Sequence, residues 1–234
     1  MQAHRELREQ VLAANLEIVR AGLVVLTFGN ASGADRAAGV MAIKPSGVPY
    51  AELDADALVV LDLETGAVVA GETRPSSDTP THLALYRAFA GAAGVVHTHS
   101  PYATAWAQAR RELPCYGTTH ADHFAGAVPV TRPLAPEEIA GDYERLTGEV
   151  IVETFAELGL DPVATPAALV ASHGPFAWGR DAAAAVENAV ALEAVAAIAL
   201  RTEVLHPGAA AIGDDLRQRH FERKHGPRAY YGQP

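Results

Sequence analysis

Two histidines two positions apart, His97 and His99, close a short apolar run at residues 94–99. Successive side chains of a β-strand point to opposite faces, so both imidazoles would project from the same face of a strand here. Neutral imidazole is a favoured ligand of zinc and other divalent transition metals, so the pair predicts a metal site. Taken alone, such a pair is more often two partly exposed polar residues, and both interpretations stay open.

Two further residues carry the donor atoms that a complete metal shell needs. His173 lies in SHGPFAWG, where an apolar run again ends, and Asp78 lies in SSDTP and offers a hard carboxylate. Three histidines and one carboxylate complete a coordination shell or leave a site that substrate oxygens expand. Each residue also has an ordinary interpretation: Asp78 as a helix N-cap, worth about 1 kcal/mol, and His173 as a turn residue.

A second group of residues lies in small-residue turns suited to an anion. Ser76 and Ser77 precede a helix start, whose unpaired N–H groups and partial positive charge attract anions. The other members lie in turns where glycine lets the backbone approach a ligand; they are Gly29, Asn30, Lys44, Ser46 and Gly47. Lys44 is one of only two lysines in the chain. The group predicts a phosphate pocket, with ordinary turns as the alternative.

Hydrophobic periodicity predicts the elements that position these residues. Helices are expected at 5–20, after Asp78, and at 136–158, 181–205 and 214–225, the last closed by Gly226. Strands are expected at 23–30, 40–47, 94–99 and 127–131, with a hairpin at 57–71 and a strand breaking into a loop at 168–179. This mixture, with no linker-like boundary, predicts one three-layer α/β/α domain over residues 1–234 whose sheet is not purely parallel.

Composition narrows the classes of function. The net charge of −10 argues against a nucleic-acid surface, which needs clustered cations, but allows one small anion in a local pocket. Cys115 is the only cysteine, so no intrachain disulfide can form and a reducing compartment is the simple interpretation. No signal-peptide pattern and no membrane-spanning run are evident, which predicts a cytoplasmic protein without membrane contact.

Seven blocks, in order along almost the whole chain, resemble the class II aldolase-like family. They are GNAS (29–32), KPSG (44–47), PSSDTPTH (75–82), VVHTHS (95–100), THADHF (119–124), SHGPFAWG (172–179) and KHGPRAYYGQP (224–234). The resemblance is strongest to the C4-epimerases of the family and implies a mixed, largely antiparallel central sheet. It also implies a homotetramer in which the tail, 226–234, reaches a neighbouring subunit's active site. Pro234 extends beyond the YYGQ ending of that pattern.

The same resemblance assigns roles to residues at the matching positions. The implied cofactor is Zn²⁺, or another divalent ion such as Mn²⁺ or Co²⁺, and its ligands are Asp78, His97, His99 and His173. The implied substrate contacts are Gly29-Asn30, Ser46-Gly47 and Ser76-Ser77. Acid–base roles fall on Asp122 and Tyr231, and His220 is a weaker candidate for contact with the substrate or with a residue that binds it. The ordinary alternatives are a solvated loop acid for Asp122 and a disordered chain end for Tyr231.

The implied reaction interconverts L-ribulose 5-phosphate and D-xylulose 5-phosphate by inversion at C4. The C4 hydrogen is not next to the C2 carbonyl, so simple proton removal would leave an unstabilised carbanion. Cleaving the C3–C4 bond instead leaves the electrons in an enediolate that a metal can stabilise. Inversion then needs proton transfer at the C4 oxygen from two opposite sides.

Three alternative functions stay open. The first is a class II aldolase of the fuculose- or rhamnulose-phosphate type; Asp at position 78, where such relatives tend to carry Glu, and the THADHF and YYGQ blocks favour the epimerase. The second is Schiff-base chemistry at Lys44 or Lys224, which the anion-suited turn around Lys44 disfavours. The third is a catalytically silent scaffold, like the head domains of adducin-type proteins, which would be expected to lose metal ligands.

Overall fold

A seven-stranded sheet organises the chain in the computed structural model, which describes residues 4–231. The strands are β1 (Gly29–Asp35), β2 (Val40–Ile43), β3 (Val59–Asp62), β4 (Val68–Ala70), β5 (Gly94–Thr98), β6 (Ala167–Leu169) and β7 (Pro175–Gly179). Their order is β4-β3-β2-β1-β5-β7-β6, and every pairing of these strands is antiparallel. One isolated parallel bridge, Val130 with Leu169, lies beside β6. The expected largely antiparallel α/β architecture is confirmed.

Helices cover both faces of this sheet. They are α1 (Arg5–Arg20), α2 (Thr79–Ala88), α3 (Pro101–Gln108), α4 (Thr118–Ala121), α5 (Pro136–Ala140), α6 (Tyr143–Leu158), α7 (Ala182–Leu205) and α8 (Asp214–His225). Adjacent residues of β5 face opposite layers, as alternation requires. Val95 belongs to the core cluster that contains Phe155 of α6, whereas Val96 belongs to the one that contains Trp106 of α3. The sheet is therefore the middle of three layers.

The longest helix, α7, is the one described helix long and apolar enough to cross a membrane. By length and composition, the prediction that the chain contains no membrane-spanning run is therefore wrong. Half of its most apolar window is buried, and Val186 and Leu192 pack in the core against the sheet. The Asp181 side chain accepts a hydrogen bond from the Ala184 N–H at 2.7 Å and caps the helix. Its apolar character is that of a core helix.

The strand expected at 23–30 is wrong. Leu26 adopts φ of +56°, and the Phe28 N–H donates to the Val25 carbonyl at 3.0 Å, so these residues form a tight turn. The strand begins only at Gly29 and consists of small residues, GNASGAD. Val25, Leu26 and Phe28 are exposed, so these hydrophobic residues are not part of the core of this chain.

Four other element boundaries differ from expectation. The helix expected at 136–158 breaks at Gly141 into α5 and α6, and the strand expected at 40–47 ends at Ile43, before the KPSG turn. Residues 127–131 make only isolated bridges, because Pro129 has no N–H to donate to a ladder. The segment 168–179 is a hairpin of β6 with β7 rather than a strand that breaks into a loop. The hairpin around Gly66 and the helices at 5–20, after Asp78, at 181–205 and at 214–225 are confirmed.

Candidate active site

Three histidines converge where β5 ends beside the β6–β7 turn. The ligand atoms of His97, His99 and His173 all lie within 4.8 Å of one another, and the Nε2 atoms of His97 and His99 are 3.2 Å apart. Zinc–nitrogen bonds of about 2.0–2.1 Å in a tetrahedral shell place neighbouring nitrogens about 3.3–3.4 Å apart. His173 arrives through strand pairing, since β7 lies next to β5. The cluster has the donor set and the size of a transition-metal site.

Contacts behind the cluster fix the imidazoles in a ligating form. The Nδ1–H of His97 donates to the Pro175 carbonyl at 2.9 Å, so its Nε2 is free of a proton and faces His99. The Phe176 ring stacks on His97 with centroids 4.1 Å apart. Nδ1 of His173 lies 3.3 Å from the Tyr143 hydroxyl. Burial lowers the pKa of both His97 and His173, which keeps them neutral and able to bind a cation.

Asp78 lies beside the cluster but outside it. Its carboxylate Oδ2 accepts a hydrogen bond of 2.6 Å from Nδ2 of Asn30, and it borders the same cavity as the three imidazoles. Burial opposes its ionisation, but His97, His82 and the Asn30 amide outweigh burial and hold its pKa below the usual range. Although Asp78 occupies the N-cap position of α2, its side chain makes no capping bond. The capping interpretation is therefore wrong.

One cavity of about 370 Å³ is bordered by every predicted metal ligand and by every residue of the predicted phosphate pocket, but not by Asp122, Tyr231 or His220. Its lining includes the histidine cluster and Asp78, together with Gly29, Asn30, Lys44, Ser46, Gly47, Ser76 and Ser77. Ser76 and Ser77 lie just before the N-terminus of α2, as the anion hypothesis requires. Oδ1 of Asn30 is buried without a partner among the described residues.

Lys44 supplies the cavity's positive charge. Its side chain is buried, its Nζ contacts the Pro45 carbonyl at 3.3 Å, and the described residues give it no ion pair. Burial lowers the pKa of its ammonium group. Across the cavity, Gly29 has φ of +128°, and a Cβ there would lie 2.9 Å from the His97 carbonyl oxygen. Glycine is required at position 29 so that the turn can approach the histidine strand.

Asp122 and Tyr231 lie together, away from this cavity. Nε and Nη2 of Arg223, on α8, donate to the two carboxylate oxygens of Asp122 at 2.8 and 2.6 Å, and His220 Nδ1 lies 3.1 Å from it. The guanidinium carbon of Arg223 lies 4.3 Å from the centroid of the Tyr231 ring. Burial opposes ionisation of Asp122, but Arg223 and His220 hold its pKa below the usual range. The remaining tail residues, 232–234, including Pro234, lie outside the described residues.

Sequence reasoning missed several residues that support these sites. Arg223 falls three positions after His220 on α8, a spacing that places both on one helix face and was a usable signal. Tyr143 contacts His173, thirty residues later in the sequence, and no local pattern predicts that contact. Lys224, a candidate for Schiff-base chemistry, instead forms an ion pair with Glu187 at 3.0 Å and does not border the cavity.

The chain belongs to the class II aldolase family. Residues 9–200 match the family described as "Class II Aldolase and Adducin N-terminal domain". Among curated relatives, the L-ribulose-5-phosphate 4-epimerase UlaF of Salmonella paratyphi A and that of Salmonella typhi are each 53% identical to it over 229 residues. Those alignments cover 98% of this chain and 99% of the relative.

Solved structures agree on the fold. An L-fuculose 1-phosphate aldolase superposes with a TM-score of 0.77 at 25% identity, covering 93% of this chain and 95% of that one. The L-fuculose-1-phosphate aldolase of Thermus thermophilus superposes with a TM-score of 0.66 at 24% identity, covering 88% and 98%. These two likenesses extend the three-layer architecture to nearly the whole chain.

Proposed function

We propose that this protein epimerises L-ribulose 5-phosphate to D-xylulose 5-phosphate at C4. The observation that carries the proposal is the single cavity that joins a three-imidazole cluster to the small-residue turns and the buried Lys44. One end suits a divalent cation and the other suits a phosphate, as a sugar phosphate requires. The relatives named as 4-epimerases support the choice of reaction, since they match nearly the full length at 53% identity.

The metal end uses His97, His99 and His173, with Asp78 as the fourth ligand. Zinc is the proposed ion, with Mn²⁺ or Co²⁺ as substitutes, because three neutral imidazoles and a carboxylate suit all of them. When bound, the ion supplies a Lewis acid that stabilises negative charge developing on the C2 oxygen as the C3–C4 bond breaks. Asn30 orients the Asp78 carboxylate through its 2.6 Å hydrogen bond.

The anion end holds the phosphate of the two-carbon fragment after cleavage. Ser76 and Ser77 offer hydroxyls before the start of α2, and Ser46 and Gly47 lie in the adjacent turn, whose backbone pairs with that segment. Lys44 contributes a charge that no described carboxylate neutralises. The fragment stays bound while its aldehyde rotates, so that bond formation on the other face inverts C4.

Proton transfer at the C4 oxygen is proposed for Asp122 and Tyr231 of a neighbouring copy. Neither residue borders the cavity of its own chain, and Arg223 contacts both of them. A homotetramer of single-domain chains, with the tail 226–234 entering the adjacent site, brings them to it. A carboxylate and a phenol on opposite sides of the oxygen are the acid–base pair that inversion needs.

A second candidate function, an aldolase acting on an L-fuculose 1-phosphate type of substrate, is favoured by the TM-score of 0.77 to such an enzyme. That structure shares only 25% identity, whereas the epimerase relatives share 53%. The adducin-like scaffold is disfavoured because the metal-ligating cluster is intact. Within the proposal, the enzyme acts in the cytoplasm on a small sugar phosphate, without nucleic acid or membrane.

The test is to incubate the zinc-loaded protein with L-ribulose 5-phosphate and follow the sugars by NMR. D-xylulose 5-phosphate should accumulate with no lasting aldehyde. Accumulation of glycolaldehyde phosphate would indicate an aldolase, and absence of turnover would overturn the epimerase. Absence of turnover of L-fuculose 1-phosphate as well would overturn both enzymes. Borohydride added during turnover should leave no covalent adduct on Lys44 or Lys224, and a chelator should abolish the reaction.

A further inference from the structure

Tyr50 contacts both walls of the anion pocket from behind. It begins a short 3₁₀-helix, Tyr50–Glu52, and does not border the cavity itself. Its hydroxyl donates to the Gly29 carbonyl at 2.7 Å, and Lys44 Nζ lies 4.9 Å from the centroid of its ring. Gly29 begins β1 and Lys44 directly follows β2, and both residues border the pocket. One side chain therefore links the two segments.

The contacts of Lys44 show why this link matters. A buried ammonium group loses hydration and needs compensation from neighbouring groups. The described partners of Lys44 are the Pro45 carbonyl, at 3.3 Å, and the face of the Tyr50 ring. An aromatic face attracts a cation without neutralising it, so the charge stays available to an anion. A carboxylate at position 50 would instead compete with phosphate.

The hydroxyl of Tyr50 acts on Gly29, at the start of β1. Gly29 has no side chain with which to anchor its turn, and its φ of +128° is a conformation that unconstrained residues rarely hold. The next residue, Asn30, donates to Ser76 and to Asp78. Holding the Gly29 carbonyl thus also fixes the residue that orients the serine turn. Burial raises the pKa of the Tyr50 hydroxyl, so it remains a donor at every pH at which the protein works.

We propose that Tyr50 is a positioning residue that sets phosphate affinity, by supporting Lys44 with its ring and the Gly29 turn with its hydroxyl. This inference rests on the proposed function, in that the pocket takes the substrate's phosphate. The ring and the hydroxyl of Tyr50 make separate contributions, and two variants remove them one after the other. Tyr50→Phe removes the hydroxyl alone, and Tyr50→Leu removes the hydroxyl and the aromatic face.

The experiment measures the inhibition constant of inorganic phosphate and the KM for L-ribulose 5-phosphate in the zinc-loaded enzyme. Tyr50→Phe should raise both about 3- to 10-fold, the size of one lost hydrogen bond. Tyr50→Leu should raise both about 10- to 100-fold, since the support of a desolvated cation is lost as well. The kcat and the zinc affinity by calorimetry should change less than about 2-fold in either variant.

Tyr102 offers a matched control away from the pocket. Its ring lies 5.1 Å from the Arg201 guanidinium carbon and its hydroxyl accepts from Arg201 at 3.1 Å, so it too combines a cation–π contact with a hydroxyl hydrogen bond. Tyr102→Phe and Tyr102→Leu should leave the phosphate constant unchanged. Unchanged phosphate constants in both Tyr50 variants, or parallel losses of zinc affinity and kcat, would overturn the inference alone. A wild-type enzyme that turns over without phosphate competition would overturn the pocket assignment with it.

Discussion

The histidine cluster and the Asp122 cluster are held in the molecule by different means. His97 and His173 are fixed by strand pairing and by backbone and ring contacts within the three-layer core. Asp122 follows the four-residue helix α4, and its partners come from α8 and the chain end. The histidine cluster lines a pocket, whereas the buried Asp122 and the exposed Tyr231 lie outside that pocket. Under the proposed function, this separation requires that catalysis be divided between copies of the chain.

The largest effect should follow from removing one imidazole. His97→Ala should lower epimerisation by at least about 1,000-fold, because loss of the metal removes several kcal/mol of charge stabilisation. Metal content by mass spectrometry should fall from one ion per chain towards zero. His206→Gln, at an exposed histidine outside the cluster, is the control and should retain both metal and activity. Full activity in a metal-free His97→Ala protein would contradict the cluster's role.

The next largest effect should follow from removing the acid–base groups of Asp122 and Tyr231. Asp122→Asn and Tyr231→Phe should each lower kcat about 100- to 10,000-fold, the range for a lost acid–base group. Their metal content should be unchanged, because neither residue borders the cavity. Equal loss of metal in these variants would mean that the two clusters are not independent.

Mixing the two kinds of variant sharpens the result. Co-expressed His97→Ala and Asp122→Asn chains should recover about a quarter of wild-type activity, since one site in four pairs two intact halves in a random closed ring. A mixture as inactive as its parents would place both halves in one chain.

Acid should destabilise both regions through buried neutral histidines. His82 lies on α2, four residues after Asp78, and His120 lies two residues before Asp122. Burial lowers the pKa of each to about 4. The unfolded chain binds these protons near pH 6.5, so stability is unaffected above that pH and falls as the pH drops towards 4. Between pH 7.5 and 5 each histidine should cost about 2 kcal/mol.

Urea unfolding of the chelator-treated protein at these two pH values measures this effect. His120→Gln and His82→Gln should each show a smaller pH dependence than the wild type, and the exposed His206→Gln should match it. Identical pH dependence in all four proteins would show that the buried histidines do not control it.

The smallest effect is the difference in unfolding free energy between alanine variants of two glycines with positive φ. The Cβ added by Gly29→Ala would lie 2.9 Å from the His97 carbonyl oxygen, at a strained φ. The Cβ added by Gly39→Ala, at φ of +69°, would have no neighbouring atom within 4 Å. Both should lose about 1–2 kcal/mol of unfolding free energy from strain, and Gly29→Ala should lose about 1 kcal/mol more. Only Gly29→Ala should also raise the KM. Equal losses of stability with an unchanged KM would show that this close approach is unimportant.

Local patterns predicted the parts of the site that depend on local structure. Alternation along β5 placed His97 and His99 on one face, and turn chemistry placed Ser76 and Ser77 before α2. The apolar run before Gly29 was mistaken for a strand because sequence hydrophobicity does not distinguish a buried residue from an exposed one such as Leu26. The link from Asp122 through Arg223 to Tyr231 spans about a hundred residues, and only the fold brings those groups together.

A metal titration of the stripped enzyme tests the central claim most directly. Zinc or cobalt is added stepwise to chelator-treated protein, and epimerisation of L-ribulose 5-phosphate is measured beside the bound ion per chain. Activity should rise in proportion to bound metal and reach its plateau at one ion per chain, with none before the first addition. Full interconversion at zero bound metal, or no gain at saturation, would contradict the claim that the three imidazoles hold the ion on which the reaction depends.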